Sequence, residues 1–108
     1  MPCTIFDLSG PQHSGKTTLA AAIALGQPAD VKHVYGVPTR ELARLMKRRF
    51  PGINAIGQKI TGATLGENVR VVVIDDASGR YSDSDIALIA GALTIRHDGL
   101  TQLVLIRN

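Results

Sequence analysis

The sequence predicts an α/β protein, a mostly parallel sheet of about four strands with helices on both faces. Strand-like and helix-like segments alternate along the chain in the order β-α-β-α-β-α-β, which favours a right-handed doubly wound sheet. Residues 69–74 form an almost unbroken apolar run, as expected of a strand that is buried on both faces. The composition agrees, because two Phe, two Tyr and no Trp leave Val, Ile, Leu and Ala to build the core.

Length and composition limit the class of protein. The chain has 108 residues, the size of one domain, which we take to be residues 1–108. No apolar run is long enough to span a membrane, and the N-terminal residues lack a basic segment followed by an apolar one. Cys3 is the only cysteine, so an internal disulfide or a thiolate metal cluster is excluded. We therefore expect a soluble, cytoplasmic protein.

The first half of the chain contains two predicted strands and two predicted helices. Residues 4–8 predict a short strand, and residues 16–25, rich in Ala and Leu, predict a helix. Residues 31–37 form a second strand that Pro38 closes. Thr39 is a plausible N-cap for a helix over residues 40–50, whose apolar positions at helical spacing are Leu42, Leu45, Met46 and Phe50. Asp7 would be costly in a buried strand, so we expect the first strand at a sheet edge.

The second half continues the alternation. Residues 52–68 contain four glycines and receive no assignment; a hairpin and a mobile loop are the alternatives. After the apolar strand at 69–74, residues 82–85 resemble a capping box. The helix that follows has an inner stripe of Ile86, Ile89, Ala90 and Leu93 and is broken at residues 97–99. Residues 100–106 predict the last strand.

Residues 10–17 have the spacing G-x-x-x-x-G-K-[ST] of a phosphate-binding loop. Glycines let successive backbone N–H groups point at one anion, and the dipole of the following helix adds to the attraction. Lys16 is then expected to reach the β- and γ-phosphates of ATP, and Thr17 to ligate Mg²⁺. The predicted nucleotide-binding residues are Gly10, Pro11, Gln12, His13, Ser14, Gly15, Lys16, Thr17 and Thr18. The alternative is a glycine-containing turn with a solvated lysine. The loop narrows the predicted fold to the three-layer sheet of a P-loop NTPase.

Two aspartates end the apolar strand. Beside a phosphate loop, Asp75 is expected to hold Mg²⁺, directly or through water, and Asp76 to orient and deprotonate the attacking water. The alternative is that both aspartates cap the strand and face solvent. Asp76 favours a hydrolase, because a small-molecule kinase can take its nucleophile from its substrate.

With these residues the chain resembles the FtsK/HerA-type ATPases that pump DNA, and most closely the genome-packaging ATPases of poxviruses and of membrane-containing viruses. Relatives in filamentous phages are also similar. The resemblance lies in four segments: residues 10–17, 32–38 and 72–76, and the pair Arg96-His97. It implies ATP hydrolysis with Mg²⁺, a homo-oligomeric ring and double-stranded DNA as the polymer that is moved, in a host cytoplasm or a virion. Family members are usually longer by at least one strand, so we expect a minimal or C-terminally short member.

The resemblance also suggests roles for three arginines. In ring-forming ATPases an arginine of a neighbouring subunit stabilises the transition state, and Arg96 and Arg80 are the candidates here. Alternatively, each is an exposed arginine near a helix C-terminus. We predict Lys16, Asp76 and Arg96 as the catalytic residues, and we expect His97 to cap or pack. Where the family usually has a Gln that senses the γ-phosphate, this chain has Arg107, followed by Asn108.

Charge is unevenly distributed along the chain. Six basic residues lie in residues 32–49, against Glu41 alone: Lys32, Arg40, Arg44, Lys47, Arg48 and Arg49. A basic helix at 40–49 could contact the phosphates of duplex DNA, or it could be the solvated face of an amphipathic helix. The glycine-rich residues 52–68 compete with it for DNA contact.

Three functions remain open on sequence alone. The first is a P-loop ATPase that packages or translocates viral DNA. The second is a nucleotide or small-molecule kinase, in which Asp75 still binds Mg²⁺ and Asp76 is incidental. The third is a non-catalytic nucleotide-binding module. Strand order separates the first two, because one strand lies between the phosphate-loop strand and the Asp75 strand in the ATPase class, whereas these strands are neighbours in the kinase class.

Overall fold

The computed structural model of the chain describes residues 3–10, 15–62, 65–66, 68–97 and 99–107. Strands and helices alternate along it. The elements, in chain order, are β1 (Thr4–Ser9), α1 (Lys16–Leu25), β2 (Lys32–Gly36), α2 (Arg40–Arg49), β3 (Ala55–Ile56), β4 (Val69–Ile74), α3 (Ala77–Arg80), α4 (Asp83–Arg96) and β5 (Gln102–Arg107).

The strands form one five-stranded sheet in the order β1-β5-β4-β2-β3, and every pairing is parallel. The predicted α/β class is therefore confirmed, with five strands instead of about four. The additional strand, β3, lies within residues 52–68 and pairs in parallel with β2, and the described residues of this stretch form no hairpin. One strand, β5, lies between β1 and β4.

Helices pack on both faces of the sheet, and a hydrophobic core lies between the sheet and the helices on each face. One core packs α1 and α2 against the sheet through small and medium side chains, among them Ala20, Ala24, Met46, Val73 and Val104. The other packs α3 and α4 against the opposite face through Ala77, Ile86, Ile89, Leu93 and Leu103, with other residues. Because successive side chains of a strand point to opposite faces, the apolar run of β4 contributes to both cores. This arrangement has the three layers that the sequence predicts.

The helix ends follow local signals. The side chain of Thr39 accepts a hydrogen bond from the Leu42 N–H (3.1 Å) and caps α2. Ser82 and Asp85 form the predicted capping box at the start of α4. The bounds of α1 and β4 are those predicted, since both elements have strong local patterns. The short helix α3 is not predicted from the sequence.

The buried side of α2 differs from the predicted stripe. Leu42 and Leu45 are 41% and 52% exposed, whereas Ala43 and Met46 are buried and Phe50 is half-buried. The stripe of apolar residues misleads because α2 rests its small Ala43 close to the sheet, which turns Leu42 and Leu45 toward solvent. The predicted stripe of α4 is confirmed, with Ile86, Ile89 and Leu93 buried and Ala90 half-buried.

The strand β1 lies at the edge of the sheet, as Asp7 predicts. Five of its six residues are exposed, including Ile5 and Phe6. No helix in the described part of the chain is long and apolar enough to cross a membrane.

Candidate functional site

The carboxyl ends of all strands in a parallel sheet lie along one side of the sheet, called here the carboxyl edge. The candidate site residues of this chain gather there. Gly10 follows β1, Asp75 and Asp76 follow β4, and Arg107 ends β5. Lys16 is the first residue of α1, which packs on one face of the sheet.

The ammonium of Lys16 lies between two strand ends. Its Nζ donates to the carbonyl of Gly10 (2.5 Å) and to that of Arg107 (2.7 Å). The side chain thereby bridges the ends of β1 and β5, where its positive charge can meet an anion above the edge. Lys16 is half-buried, so its charge is only partly screened by water.

Two glycines shape the loop before α1. Gly10 has a φ of 146° and Gly15 a φ of 84°, both disfavoured for residues with a Cβ. A Cβ added to Gly15 would meet no atom of the described residues within 4 Å, so it is the backbone conformation that requires a glycine here. The predicted ligands Pro11, Gln12, His13 and Ser14 lie outside the described residues.

Asp75 is half-buried beside opposite charges. Its backbone N–H donates to the Gly36 carbonyl at the end of β2 (2.9 Å). Burial raises the pKa of this carboxyl, and the Asp76 carboxylate raises it further; the Asp76 backbone N–H and the cations of Lys16 and Arg80 oppose the rise. Lys16 and Asp75 therefore interact electrostatically at this end of the sheet.

Asp76 has a left-handed backbone, with φ 56° and ψ 44°. Among the described residues it is the only one other than glycine with a positive φ. Such conformations cost about 1–3 kcal/mol and concentrate at functional sites. The conformation turns the carboxylate of Asp76 toward the start of α3, where a Cβ added to Gly79 would lie 3.3 Å from its Oδ1.

Tyr35 lies below this edge, and the sequence analysis missed it. The residue is fully buried. Its hydroxyl makes no hydrogen bond of good geometry with the described residues, and the Thr17 hydroxyl beside it is at most a loose partner. Burial raises the pKa of its phenol, and the Asp75 carboxylate raises it further, whereas the Thr17 hydroxyl and the Arg49 guanidinium oppose the rise. An aromatic residue with a polar tip inside a buried strand was the available signal.

Arg49 is a second residue that sequence analysis missed as part of this edge. It ends α2, and its Nη2 donates to the Thr18 hydroxyl on α1 over a long 3.4 Å. Its guanidinium also lies 5.0 Å from the centre of the Phe50 ring. A predicted nucleotide-binding residue, Thr18, therefore has a cation beside it that the sequence pattern assigned only to the basic helix.

The structure does not bring Arg96 to this site within the chain. The helix α4 leads from the carboxyl end of β4 to the amino end of β5. Its last residue, Arg96, therefore lies at the opposite edge, where the strands begin. The guanidinium of Arg96 donates to the carbonyls of Leu65 (3.0 Å) and Gly62 (2.8 Å). A catalytic role for Arg96 would require a neighbouring subunit and stays a prediction.

Arg80 and His97 have different surroundings. The Arg80 guanidinium opposes the rise that burial causes in the pKa of Asp75, and it stands 5.6 Å from the centre of the Tyr81 ring, so Arg80 lies at the same end of the sheet as Asp75. His97 is buried, and its Nε2 lies 2.8 Å from the Val69 carbonyl. The expectation that His97 packs within the protein is confirmed.

The residues present fit Mg²⁺ and a nucleotide phosphate. Mg²⁺ prefers oxygen ligands and keeps several waters, so a hydroxyl and a carboxylate such as those of Thr17 and Asp75 suffice. Groups of three or more His, Cys, Asp or Glu that could hold a metal do not occur among the residues with described structure. The buried hydroxyl of Tyr35, which lies near Thr17 and Asp75 without a hydrogen bond of good geometry among the described residues, is consistent with a polar site that a ligand completes.

Comparison with known proteins does not assign the chain. No protein-family model matches it, and neither does any curated protein. The proposals below therefore depend on the geometry of the site and on the resemblance of its motifs.

Proposed function

We propose that this protein binds ATP with Mg²⁺ at the carboxyl edge of its sheet and hydrolyses the terminal phosphate. The order of the strands is the observation that carries the proposal. One strand, β5, lies between the phosphate-loop strand β1 and the Asp75 strand β4. This order is the one expected for the ATPase class, whereas in a nucleotide kinase the two strands are neighbours.

The residues at this edge have complementary roles in such a reaction. Lys16, now held by two main-chain carbonyls, exchanges them for phosphate oxygens and stabilises the charge that develops on the leaving phosphate. Thr17 and Asp75 hold Mg²⁺, which neutralises phosphate charge when bound.

Asp76 takes a proton from the attacking water. As the water oxygen bonds to the γ-phosphorus, the bond from that phosphorus to the bridging oxygen breaks and ADP leaves with the electron pair.

We also propose, on the resemblance of the motifs, that the hydrolysis moves double-stranded DNA through a homo-oligomeric ring. The basic helix α2, with Arg40, Arg44, Lys47, Arg48 and Arg49 against Glu41, supports contact with a polyanion. The position of Arg96 at the opposite edge is compatible with a role in a neighbouring subunit, which only an assembly supplies.

A non-catalytic nucleotide-binding module is the second candidate. The observation in its favour is Arg107, which occupies the position of the sensor Gln and pairs with Asp7. A side chain engaged in this way is not available to sense a phosphate without breaking the pair.

The test is phosphate release from ATP and Mg²⁺ by the purified protein, with and without duplex DNA, alongside its mass in solution. We expect Asp76→Asn to retain ATP binding and to lower turnover by about 10²- to 10⁴-fold, because a general base contributes that much. Asn also tolerates the left-handed backbone, so the fold should persist. Asp83→Asn, in the exposed first turn of α4, is the matched control and should leave turnover unchanged.

Equal turnover in Asp76→Asn and the wild type would contradict the role of Asp76 and favour the kinase. Tight ATP binding without turnover, with or without DNA, would favour the non-catalytic module. Lys16→Ala should weaken ATP binding by about 10- to 100-fold, the value of a hydrogen bond to a charged group. Unchanged ATP binding in that variant would remove the basis of the proposal.

A further inference from the structure

A groove runs between α2 and the edge strand β3, on the side of the sheet away from β1. Its volume is about 320 Å³. Residues of α2, three of them cationic, form one wall, and residues 55–58, called here the β3 segment, form the other. The lining comprises Arg40, Ala43, Arg44, Lys47, Ala55, Ile56, Gly57 and Gln58.

The cationic wall follows from the spacing of three residues on α2. Arg40, Arg44 and Lys47 lie four and then three residues apart, so they share one face of the helix. All three are exposed, and within the described ranges no carboxylate lies within salt-bridge distance of them. Their charges are therefore available to a ligand.

The facing wall has no room for large side chains at its closest point. A Cβ added to Gly57 would collide with the backbone of Thr39 and Arg40, so the β3 segment packs directly against the first turn of α2. Ala43 and Ala55, both buried, line the groove between the two walls. A ligand can thus approach the three cations along a shallow, partly apolar floor.

We propose that this groove binds the phosphodiester backbone of nucleic acid. From Arg40 to Lys47 the helix rises about 10 Å, at 1.5 Å per residue. Successive phosphates of one DNA strand rise about 3.4 Å along the axis and lie farther apart than that through space, so the wall is long enough to face about two to three of them. A single small anion would require cations that converge on one point, whereas these are spread along the groove. The apolar floor suits the sugars that lie between phosphates.

Hydrogen bonds connect this groove to the candidate nucleotide site. The Val37 N–H, just after β2, donates to the Ile56 carbonyl in the groove wall (2.9 Å). At the preceding residue, the Gly36 carbonyl accepts from the Asp75 N–H (2.9 Å). The groove and the candidate nucleotide site are thus joined through the end of β2. A part for the groove in DNA movement rests on the proposed function, whereas binding of nucleic acid in the groove does not.

The experiment measures binding of the full chain to a fluorescent DNA duplex by anisotropy, without nucleotide, over a range of salt concentrations. Arg44→Ala is compared with Arg48→Ala, which removes the same charge from the same helix but does not line the groove. We expect Arg44→Ala to weaken binding several-fold more than Arg48→Ala. The triple variant of Arg40, Arg44 and Lys47 to Ala should lower the salt slope by about 2 to 3, because each lost phosphate contact lowers it by about 0.9.

The exposed positions of these residues and the helix propensity of Ala should preserve the fold, which circular dichroism checks. Equal losses of DNA affinity in Arg44→Ala and Arg48→Ala, or an unchanged salt slope in the triple variant, would contradict the proposal that the groove binds nucleic acid. Binding to vesicles that contain phosphatidylserine, without binding to DNA, would also overturn it and would assign the face to a membrane.

The two proposals fail separately. If the wild-type protein binds DNA in the groove but does not hydrolyse ATP, the proposed binding in the groove is supported and the proposed function is contradicted. ATP turnover together with DNA binding that the triple variant retains would do the reverse.

Discussion

The carboxylate of Asp7 and the guanidinium of Arg107 form an ion pair across β1 and β5. Nε of Arg107 lies 3.0 and 3.1 Å from the two carboxylate oxygens. Asp7 is opposite Leu105 in the register, so the pair is diagonal and both side chains lie on the face that α3 and α4 cover. Two unusual residues of the sequence, the charge in the edge strand β1 and the arginine that ends β5, are thus partners.

The pair should contribute little to stability. Asp7 and Arg107 have side chains that are 49% and 28% exposed, and exposed pairs typically couple by about 0.2–1 kcal/mol. A double-mutant cycle with Asp7→Asn and Arg107→Gln, followed by urea unfolding, should give a coupling energy in that range. A coupling energy above about 2 kcal/mol would show that the pair is structural in a way its exposure does not indicate.

Replacing tyrosine by phenylalanine should change the free energy of unfolding differently at Tyr35 and at Tyr81. Tyr81→Phe should lower the free energy of unfolding by about 1–3 kcal/mol, because the Tyr81 hydroxyl accepts the buried N–H of Ile60 (2.6 Å) and its loss leaves that N–H unpaired. Tyr35→Phe removes a buried hydroxyl that makes no hydrogen bond of good geometry with the described residues, so the free energy of unfolding should rise or stay unchanged. Urea titrations of both variants check this, and a larger loss in Tyr35→Phe than in Tyr81→Phe would contradict it.

Two glycines should respond in opposite directions to alanine. Gly57→Ala places a Cβ against the backbone of Thr39 and Arg40 and should cost about 1–3 kcal/mol as α2 is displaced. Gly91→Ala, inside α4 with nothing within 4 Å of the added Cβ, should stabilise the protein by about 1 kcal/mol through helix propensity. Thermal unfolding separates the two, and a stable Gly57→Ala would refute the close packing of the β3 segment on α2.

The stability of the protein should fall on mild acidification because of His33. Its Nε2 accepts the N–H of Asn54 (2.9 Å), and burial lowers the pKa of the imidazole from its ordinary value of 6.5. Between pH 6.5 and the lower folded value, the unfolded chain binds a proton that the folded chain does not, so the free energy of unfolding decreases as pH falls. Urea unfolding at pH 7.5 and pH 5.5 measures this difference.

His33→Gln should reduce that difference, because Gln does not titrate in this range. If the variant and the wild type lose equal stability between the two pH values, His33 is not the group responsible.

Local patterns determined the secondary structure of this protein. The bounds of α1 and β4, the Thr39 cap and the capping box at Ser82 all depend on residues within a few positions of one another, so the sequence was sufficient to predict them. The spacing of Gly10, Gly15 and Lys16 is local in the same way, and the phosphate loop that it indicates stays a prediction.

Tertiary structure alone decided three other matters. The order β1-β5-β4 brings together strands from opposite ends of the chain, and the burial of Ala43 in place of Leu42 depends on how closely α2 approaches the sheet. The contact of Arg96 with the carbonyls of Gly62 and Leu65 likewise joins distant segments. Periodicity shows that a segment is amphipathic, but its neighbours in the fold determine which contacts it makes, because those contacts depend on the packing of the whole core.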